Sequence, residues 1–177
     1  ACGEKTLPQG MEVVHTTETV EMCDDPATVF RRKKDTSMGV GLTMLRDGQG
    51  DAFISAGSTG ALLTGATLIT KRIRGIRRAA MAPVMPTTTG RCVLIDCGAN
   101  AECTPEYLLQ FAYLGSFYAR HVLGIENPRV ALLNIGVEAE KGTDLQRETR
   151  ALLLEQPGLH FIGNIEAKEA IKGGCDV

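Results

Sequence analysis

Residues 51–65, read Asp51-Ala52-Phe53-Ile54-Ser55-Ala56-Gly57-Ser58-Thr59-Gly60-Ala61-Leu62-Leu63-Thr64-Gly65, decide the fold. Ala52-Phe53-Ile54 reads as a short apolar strand. It runs into a tight turn, Ser55–Gly60, and then into a helix that starts near Gly60 and continues to Ile73. Gly57 and Gly60 are free to take φ > 0 and to let another group approach the backbone closely. Ser58 or Thr59 suits the N-cap of the following helix. A strand that ends in a Gly/Ser/Thr turn at a helix start points several backbone N–H groups at one spot. The positive end of the helix dipole lies there too, which makes the spot an anion site. Ser55, Gly57, Ser58, Thr59 and Gly60 are therefore the candidate phosphate ligands. The plainer reading is a strand-to-helix turn that needs glycine for geometry alone, because the stretch matches neither G-x-G-x-x-G nor the Walker pattern.

Upstream, Glu12–Thr16 reads as a strand. Asp24-Asp25-Pro26 opens a helix that carries Arg31-Arg32-Lys33-Lys34. That run is either a solvated helix end or a docking patch for an acidic partner or a phosphate. Ser37–Leu45 reads as a second helix, capped by Thr36 or Ser37. Downstream of the central helix, Lys71, Arg72, Arg74, Arg77 and Arg78 form a second basic cluster, either a solvated helix end or a contact for an acidic protein or a membrane surface.

Ala79–Met85 and Cys92–Asp96 are apolar runs flanking Pro86–Arg91, either a β-hairpin or two neighbouring strands joined by a loop. Asp96-Cys97-Gly98-Ala99-Asn100 leaves the second run directly. A carboxylate, a glycine and an amide at a strand's C-terminal end occupy the place where α/β sheets bind ligands. They are equally a turn in which Asp96 and Asn100 bond local backbone. Thr104-Pro105-Glu106 starts a helix reaching Val122, with a broad apolar face. Gly115 and Ser116 in its middle suggest a close crossing with another helix, at an oligomer interface for instance. Arg129–Ile135 reads as a buried parallel strand. The loop Gly136–Asp144 follows, and Thr143 or Asp144 caps a helix up to Glu155. Lys141, just before that helix, is the strongest single cation candidate for holding an anion; otherwise it is an exposed loop lysine. Leu159–Ile162 is a further strand, Gly163–Glu166 a polar strand-end loop with Asn164, Ala167–Lys172 a short helix, and Asp176-Val177 the beginning of a strand.

Strands and helices alternate throughout, with no repeat or low-complexity tract. This predicts one α/β domain over 1–177, with a largely parallel sheet and helices on both faces. The strand-end loops would gather at one sheet edge. The chain starts at Ala1 without an initiator Met and stops at Val177, so it reads as part of a longer protein. A net charge of −2 leaves no basic excess for nucleic-acid binding. Six cysteines without a C-x-x-C pair, and three scattered histidines, offer no zinc-like cluster. The cysteines read as reduced and cytosolic. The longest apolar run, Ala61–Ile69, is too short to span a membrane. No cofactor and no metal are expected.

Six blocks, in order, resemble one known family: DDPATVFRRKKDTSM, DAFISAGSTGALL, MPTTTGRCVLIDCGAN, PEYLLQFAYLGSFYA, NPRVALLNIGVEAEKGTDL and HFIGNIEAKEAIKGGCDV. They cover nearly everything from Asp24 onward and are similar to the PlsX-type phosphate acyltransferases of bacterial phospholipid synthesis. The resemblance implies a three-layer α/β/α fold related to phosphotransacetylases and to isocitrate and isopropylmalate dehydrogenases. It implies a cytoplasmic homodimer, peripherally associated with the membrane. It also implies conversion of acyl-acyl carrier protein and inorganic phosphate into acyl phosphate and free carrier protein, with the acyl phosphate passed to a partner acyltransferase. Ser58 stands where the family usually has Asn. Val137, Ala139 and Thr143 replace residues of the family's usual acidic loop. The family's N-terminal Gly-Gly-Asp and its later Asp-Gly-Phe-x-Gly-Asn segment are absent, so the site is expected to be incomplete.

On that resemblance, the expected roles are phosphate binding by Ser55 and Gly57–Gly60, charge neutralisation by Lys141, and orientation of the carbonyl or acyl phosphate by Asn100 and Asn164. Asp96 is expected to hold the site's geometry. Arg31, Arg32, Lys33 and Lys34, together with Lys71, Arg72 and the rest of the second cluster, are the candidates for the acidic carrier protein. Two alternatives stand beside this: a phosphotransacetylase-like enzyme on a small acyl-CoA, and a non-catalytic scaffold that binds carrier protein.

Overall fold

A computed structural model of the protein describes residues 7–177. The chain clusters into two compact units, one ending at Arg72 and the other comprising Ile73–Val177.

The first unit is helical. Asp25 builds the turn ahead of α1 (Val29–Arg32): its carboxylate accepts from the N–H of Ala27 (3.0 Å) and from Thr28 Oγ1 (2.9 Å). The helix is shorter than the charge run suggests. Lys33 leaves it in an extended conformation and reaches back to Asp24 Oδ2 (2.6 Å) and the carbonyl of Thr19 (2.9 Å). α2 (Ser37–Arg46) begins where expected, with buried Thr36 as cap: its Oγ1 accepts from the N–H of Gly39 at 3.1 Å. α3 (Thr59–Gly65) runs on as a π-helical turn, Ala66–Thr70. It stops short of Ile73 because the chain turns away at Lys71, whose φ is +70°. Gly65 lets α2 and α3 close together: a Cβ there would stand 2.7 Å from Leu42 and 2.8 Å from Phe30. Val29, Met38, Leu42 and Ala61 form this unit's core.

Two expected strands are absent here. Glu12–Thr16 and Ala52–Ile54 are irregular, and Glu18 with Thr36 makes only an isolated bridge. A strand needs a hydrogen-bonded neighbour. Neither segment has one among the described residues, and Ile54 is 93% exposed.

The second unit carries two two-stranded sheets, one antiparallel and one parallel. β1 (Val84–Thr87) and β2 (Gly90–Val93) form an antiparallel hairpin across Thr88-Thr89, with Gly90 at φ +151°. Thr88 fixes the hairpin tip, donating its N–H to the Ile171 carbonyl (3.0 Å) and its Oγ1 to the Lys172 carbonyl (2.9 Å). α4 (Pro105–His121) starts at Thr104-Pro105 as the sequence predicts. β3 (Arg129–Leu133) pairs in parallel with β4 (His160–Ile165), and α5 (Asp144–Leu154) connects them. This is a βαβ crossover. α6 (Ala167–Ile171) follows β4.

β4 is longer than its apolar core suggests. Between Val130 and Leu132 the register shifts, so β4 carries one extra residue. Gly163, at φ +101°, absorbs this bulge. Gly163 and Asn164 therefore lie inside the strand rather than in a loop beyond it.

Asp176-Val177, expected to begin a strand, is not a regular strand, but its backbone bonds to both neighbouring segments. The Val93 N–H donates to the Asp176 carbonyl (2.9 Å), the Ala131 N–H donates to the Val177 carbonyl (2.9 Å), and both terminal N–H groups donate to the Arg129 carbonyl. The last two residues thereby join β2 to β3. Asp176 also takes the Arg129 N–H (2.8 Å) and guanidinium (3.0 Å).

The side chains of β3 alternate. Val130 and Leu132 join the core formed with Ala112 and Ala119 of α4 and Leu153 of α5, whereas Ala131 packs with Cys92, Cys175 and Ala170 of α6. Helices thus cover both faces, and the unit is the mixed α/β layer that the alternation of elements predicts. Gly115 does permit a close approach, but to Val177 and Ile95 rather than to another helix. No helix among the described residues is long and apolar enough to cross a membrane.

Candidate functional site

The loop from Gly136 to Thr143 leaves the C-terminal end of β3, and three side chains from three elements capture its carbonyls. Asn134, just past β3, donates Nδ2 to the Lys141 carbonyl at 3.0 Å and accepts the Ile135 N–H on Oδ1 at 2.8 Å. Asn164 of β4 donates Nδ2 to the Glu138 carbonyl at 2.8 Å. Arg147 of α5 donates Nη1 to the Gly142 carbonyl at 2.8 Å and pairs with Asp144. Gln146 Oε1 accepts the Thr143 N–H at 2.9 Å, one half of a capping box at the start of α5. Gly142 has φ +89°, and a Cβ there would stand 2.6 Å from Asn134 Oδ1.

Lys141 rides on this held loop. Its stem lies over buried Gly136, where a Cβ would meet Lys141 Cγ at 3.0 Å. The residue is exposed, and Nζ has no hydrogen-bond or ion-pair partner among the described residues. A solvated cation fixed at its root and open at its tip can take an anion without first breaking an ion pair. Asn164 has a free acceptor, since Oδ1 is buried without a partner.

Asp96 and Asn100 make the turn that was the plainer of their two readings. Asp96 Oδ1 accepts the Met81 N–H at 2.7 Å; Oδ2 accepts the Asn100 N–H at 2.8 Å and Nδ2 at 3.1 Å. Asn100 Nδ2 also donates to the Ala79 carbonyl at 2.9 Å. Both amide hydrogens of Asn100 are thereby used, and what remains is an acceptor oxygen. The pair braces the loop after β2 against the segment before β1. It also lines a cavity of about 330 Å³, walled mainly by apolar groups such as Val93, Ile95, Leu132 and Val177, with Gln146 also in the wall.

In the first unit the glycine turn is built as the sequence suggests, for a different reason. Neither Gly57 nor Gly60 has positive φ. They are small because Met38 Cε approaches the first (3.1 Å from a would-be Cβ) and Pro26 the second (3.2 Å). Ser58 caps α3 through the Ala61 N–H, a long bond of 3.4 Å, and Ser55 Oγ accepts the Gly57 N–H at 3.1 Å. The turn's own serines thus consume two N–H groups. Thr59 and Gly60, first in the helix and exposed, keep N–H groups that have no intrahelical partner.

The two basic clusters are only partly open. Lys33 is committed to Asp24 and Thr19, whereas Arg31, Arg32 and Lys34 are exposed. Lys71 and Arg72 are exposed at the end of the first unit. In the second unit the Arg77 N–H donates to Gln110 Oε1 (2.8 Å), and the Arg78 guanidinium lies 5.8 Å from the Tyr107 ring centroid. The sequence reading missed Asn134, Gly142, Gln146 and Arg147. Asn134 fell within the run Arg129–Ile135 read as strand, and its place just past β3 appears only in the structure.

An α/β layer whose strand-end loops carry amides, glycines and an open lysine is the kind of frame that handles anionic small groups. The chain belongs to the fatty acid synthesis protein family, whose model matches residues 2–177. It is 47% identical over 169 residues to a phosphate acyltransferase of Thermoanaerobacterium thermosaccharolyticum, covering 96% of this chain and 50% of that relative. It is 51% identical over 167 residues to one of Alkaliphilus oremlandii (94% and 50%) and 46% identical over 168 residues to one of Shouchella clausii (94% and 51%). The chain therefore spans about half the length of the curated relatives it matches.

Proposed function

We propose that the full-length gene product is an acyltransferase that makes acyl phosphate from acyl-acyl carrier protein and inorganic phosphate, releasing free carrier protein for phospholipid synthesis. The observation that carries this reading is the 46–51% identity, along nearly all of this chain, to proteins named phosphate acyltransferase. The open lysine on a clamped loop supports it.

A phosphate oxygen attacks the thioester carbonyl. The C–O bond forms, the C–S bond breaks, and the carrier's thiolate takes a proton from solvent. Phosphate is already nucleophilic near neutral pH and thiolate leaves readily, so the protein's task is to orient two reactants and to offset developing charge. Lys141 neutralises phosphate charge. The N–H groups of Thr59 and Gly60 within the Ser55–Gly60 turn offer donors to an anion. Asp96 and Asn100 hold the loop after β2, and Asn164 holds the Lys141 loop while keeping one acceptor. Arg31, Arg32, Lys34, Lys71 and Arg72 are the cations for an acidic carrier protein, an attraction that salt weakens. A homodimer, peripheral membrane contact and hand-over of the acyl phosphate to a second acyltransferase belong to the same proposal.

Hydroxylamine converts acyl phosphate to hydroxamate and so tests the reaction. The full-length product is given long-chain acyl-carrier protein with phosphate, and acetyl-CoA with phosphate in parallel. Hydroxamate from the carrier-protein reaction alone is the expected result. Product from acetyl-CoA alone would replace the reading with a phosphotransacetylase, and product from neither would leave a carrier-binding scaffold.

A further inference from the structure

We infer that Asn134 is a positioning residue that fixes where the Lys141 ammonium stands. The inference rests on the reading of Lys141 as the phosphate-neutralising group. Asn134 stands at the junction of sheet and loop. Its own N–H donates to the Ile165 carbonyl of β4 at 2.9 Å, which ties its backbone to the sheet. Its side chain turns the other way and spans the loop: Nδ2 holds the Lys141 carbonyl at 3.0 Å while Oδ1 takes the Ile135 N–H at 2.8 Å. With both bonds made, the amide orientation is fixed, since only the nitrogen can donate to a carbonyl and only the oxygen can accept an N–H. The contact is close enough to dictate the next residue, for Gly142 has no room for a Cβ against Asn134 Oδ1.

Asn164 holds the Glu138 carbonyl, which also accepts the Lys141 N–H at 3.3 Å, and Arg147 holds the carbonyl of neighbouring Gly142. Among the described residues, only Asn134 bonds the Lys141 peptide carbonyl itself. A long lysine side chain loses conformational freedom when it captures an anion, and a root already fixed by the sheet lowers that loss. Asn134 thus acts on phosphate through Lys141, without touching phosphate.

The test is a double-mutant cycle in the full-length protein, with inorganic phosphate as the varied substrate and acyl hydroxamate as the product read. Asn134→Asp keeps the size of the side chain and the acceptor for Ile135 but removes the donor to Lys141. Asn134→Asp is expected to lower kcat/KM for phosphate about tenfold when Lys141 is present, and less than about twofold in the Lys141→Ala background. A residue that merely stabilises the fold would lower both backgrounds by the same factor. Equal factors, or an Asn134→Asp enzyme as active as the parent, would overturn the inference.

A second readout does not need turnover: the rate at which acetic anhydride labels Lys141, followed by peptide mass with and without phosphate. Phosphate is expected to protect Lys141 in the parent, and in Asn134→Asp the same protection is expected to need about tenfold more phosphate. Unchanged protection in Asn134→Asp overturns the positioning role. A parent in which phosphate protects nothing at Lys141 overturns the reading of Lys141 on which it depends, and the inference with it.

Discussion

Asp176 ties the last residues of the chain to β3 through three bonds from Arg129, to its backbone N–H, Nε and Nη2. Burial works to raise its pKa, but the hydrogen bonds from the side chain and backbone of Arg129 outweigh this and hold the carboxyl below the ordinary carboxylate range. A carboxyl whose folded-state pKa is depressed contributes stability that is present above the unfolded-state pKa and is lost as pH falls through the folded value. Asp176→Asn is therefore expected to be less stable than the parent at pH 7 by about 1–3 kcal/mol, toward the lower end because Arg129 is partly solvated. In urea titrations from pH 7 to about 2.5 the gap should begin to close as the pH falls below about 4, where the unfolded chain takes its proton, and close fully only below the depressed value of the folded carboxyl. A gap that stays constant across that range would contradict this account of Asp176.

At the scale of elements, Val177 belongs to the buried core of the second unit. A Cβ on Gly115 in the middle of α4 would stand 2.4 Å from Val177 Cγ1 and 3.0 Å from Ile95 Cγ2. Gly115→Ala gains helix propensity of up to about 1 kcal/mol, but the overlap with two branched side chains of the sheet costs about 1–3 kcal/mol. A net loss of stability is expected in denaturant unfolding; an unchanged or raised midpoint would mean that Ile95 and Val177 move aside freely.

The elements that local chemistry defines could be read directly. Thr36 capping α2, Thr104-Pro105 starting α4, Thr143 starting α5, and the unbroken apolar run of β3 each carry their cause within a few residues. Elements whose cause lies far off in the chain could not. Ala52-Phe53-Ile54 has a strand's composition but no neighbour to pair with among the described residues, so it stays irregular with Ile54 in solvent. The bulge that draws Gly163 and Asn164 into β4 depends on its register with β3, which no local pattern reveals. The same division holds for the candidate site. Lys141, Asn164, Asp96 and Asn100 were visible as polar groups at strand ends. That Asn100 spends both amide hydrogens on structure, and that Asn134 holds the Lys141 loop, follows from contacts across elements. The glycines of the 57–60 turn were legible as a need for small residues; the neighbours that impose it, Met38 and Pro26, were not.

For the whole molecule, the proposal to test is that the full-length protein is a phosphate acyltransferase in which Lys141, on a loop held by Asn134 and Asn164, meets the phosphate. The comparisons give the family, and the held loop supports Lys141 as the cation. Removing the ammonium takes away a charge-assisted contact of about 2–3 kcal/mol while deleting no hydrogen bond of the folded state, since Nζ has no partner among the described residues. The most direct measurement is the initial rate of acyl hydroxamate formation against phosphate concentration, for the full-length protein and its Lys141→Ala variant, with thermal unfolding of both alongside. In Lys141→Ala, kcat/KM for phosphate is expected to fall about 30- to 100-fold while the unfolding midpoint stays within about 2 °C. An unchanged kcat/KM for phosphate in Lys141→Ala would contradict the proposal.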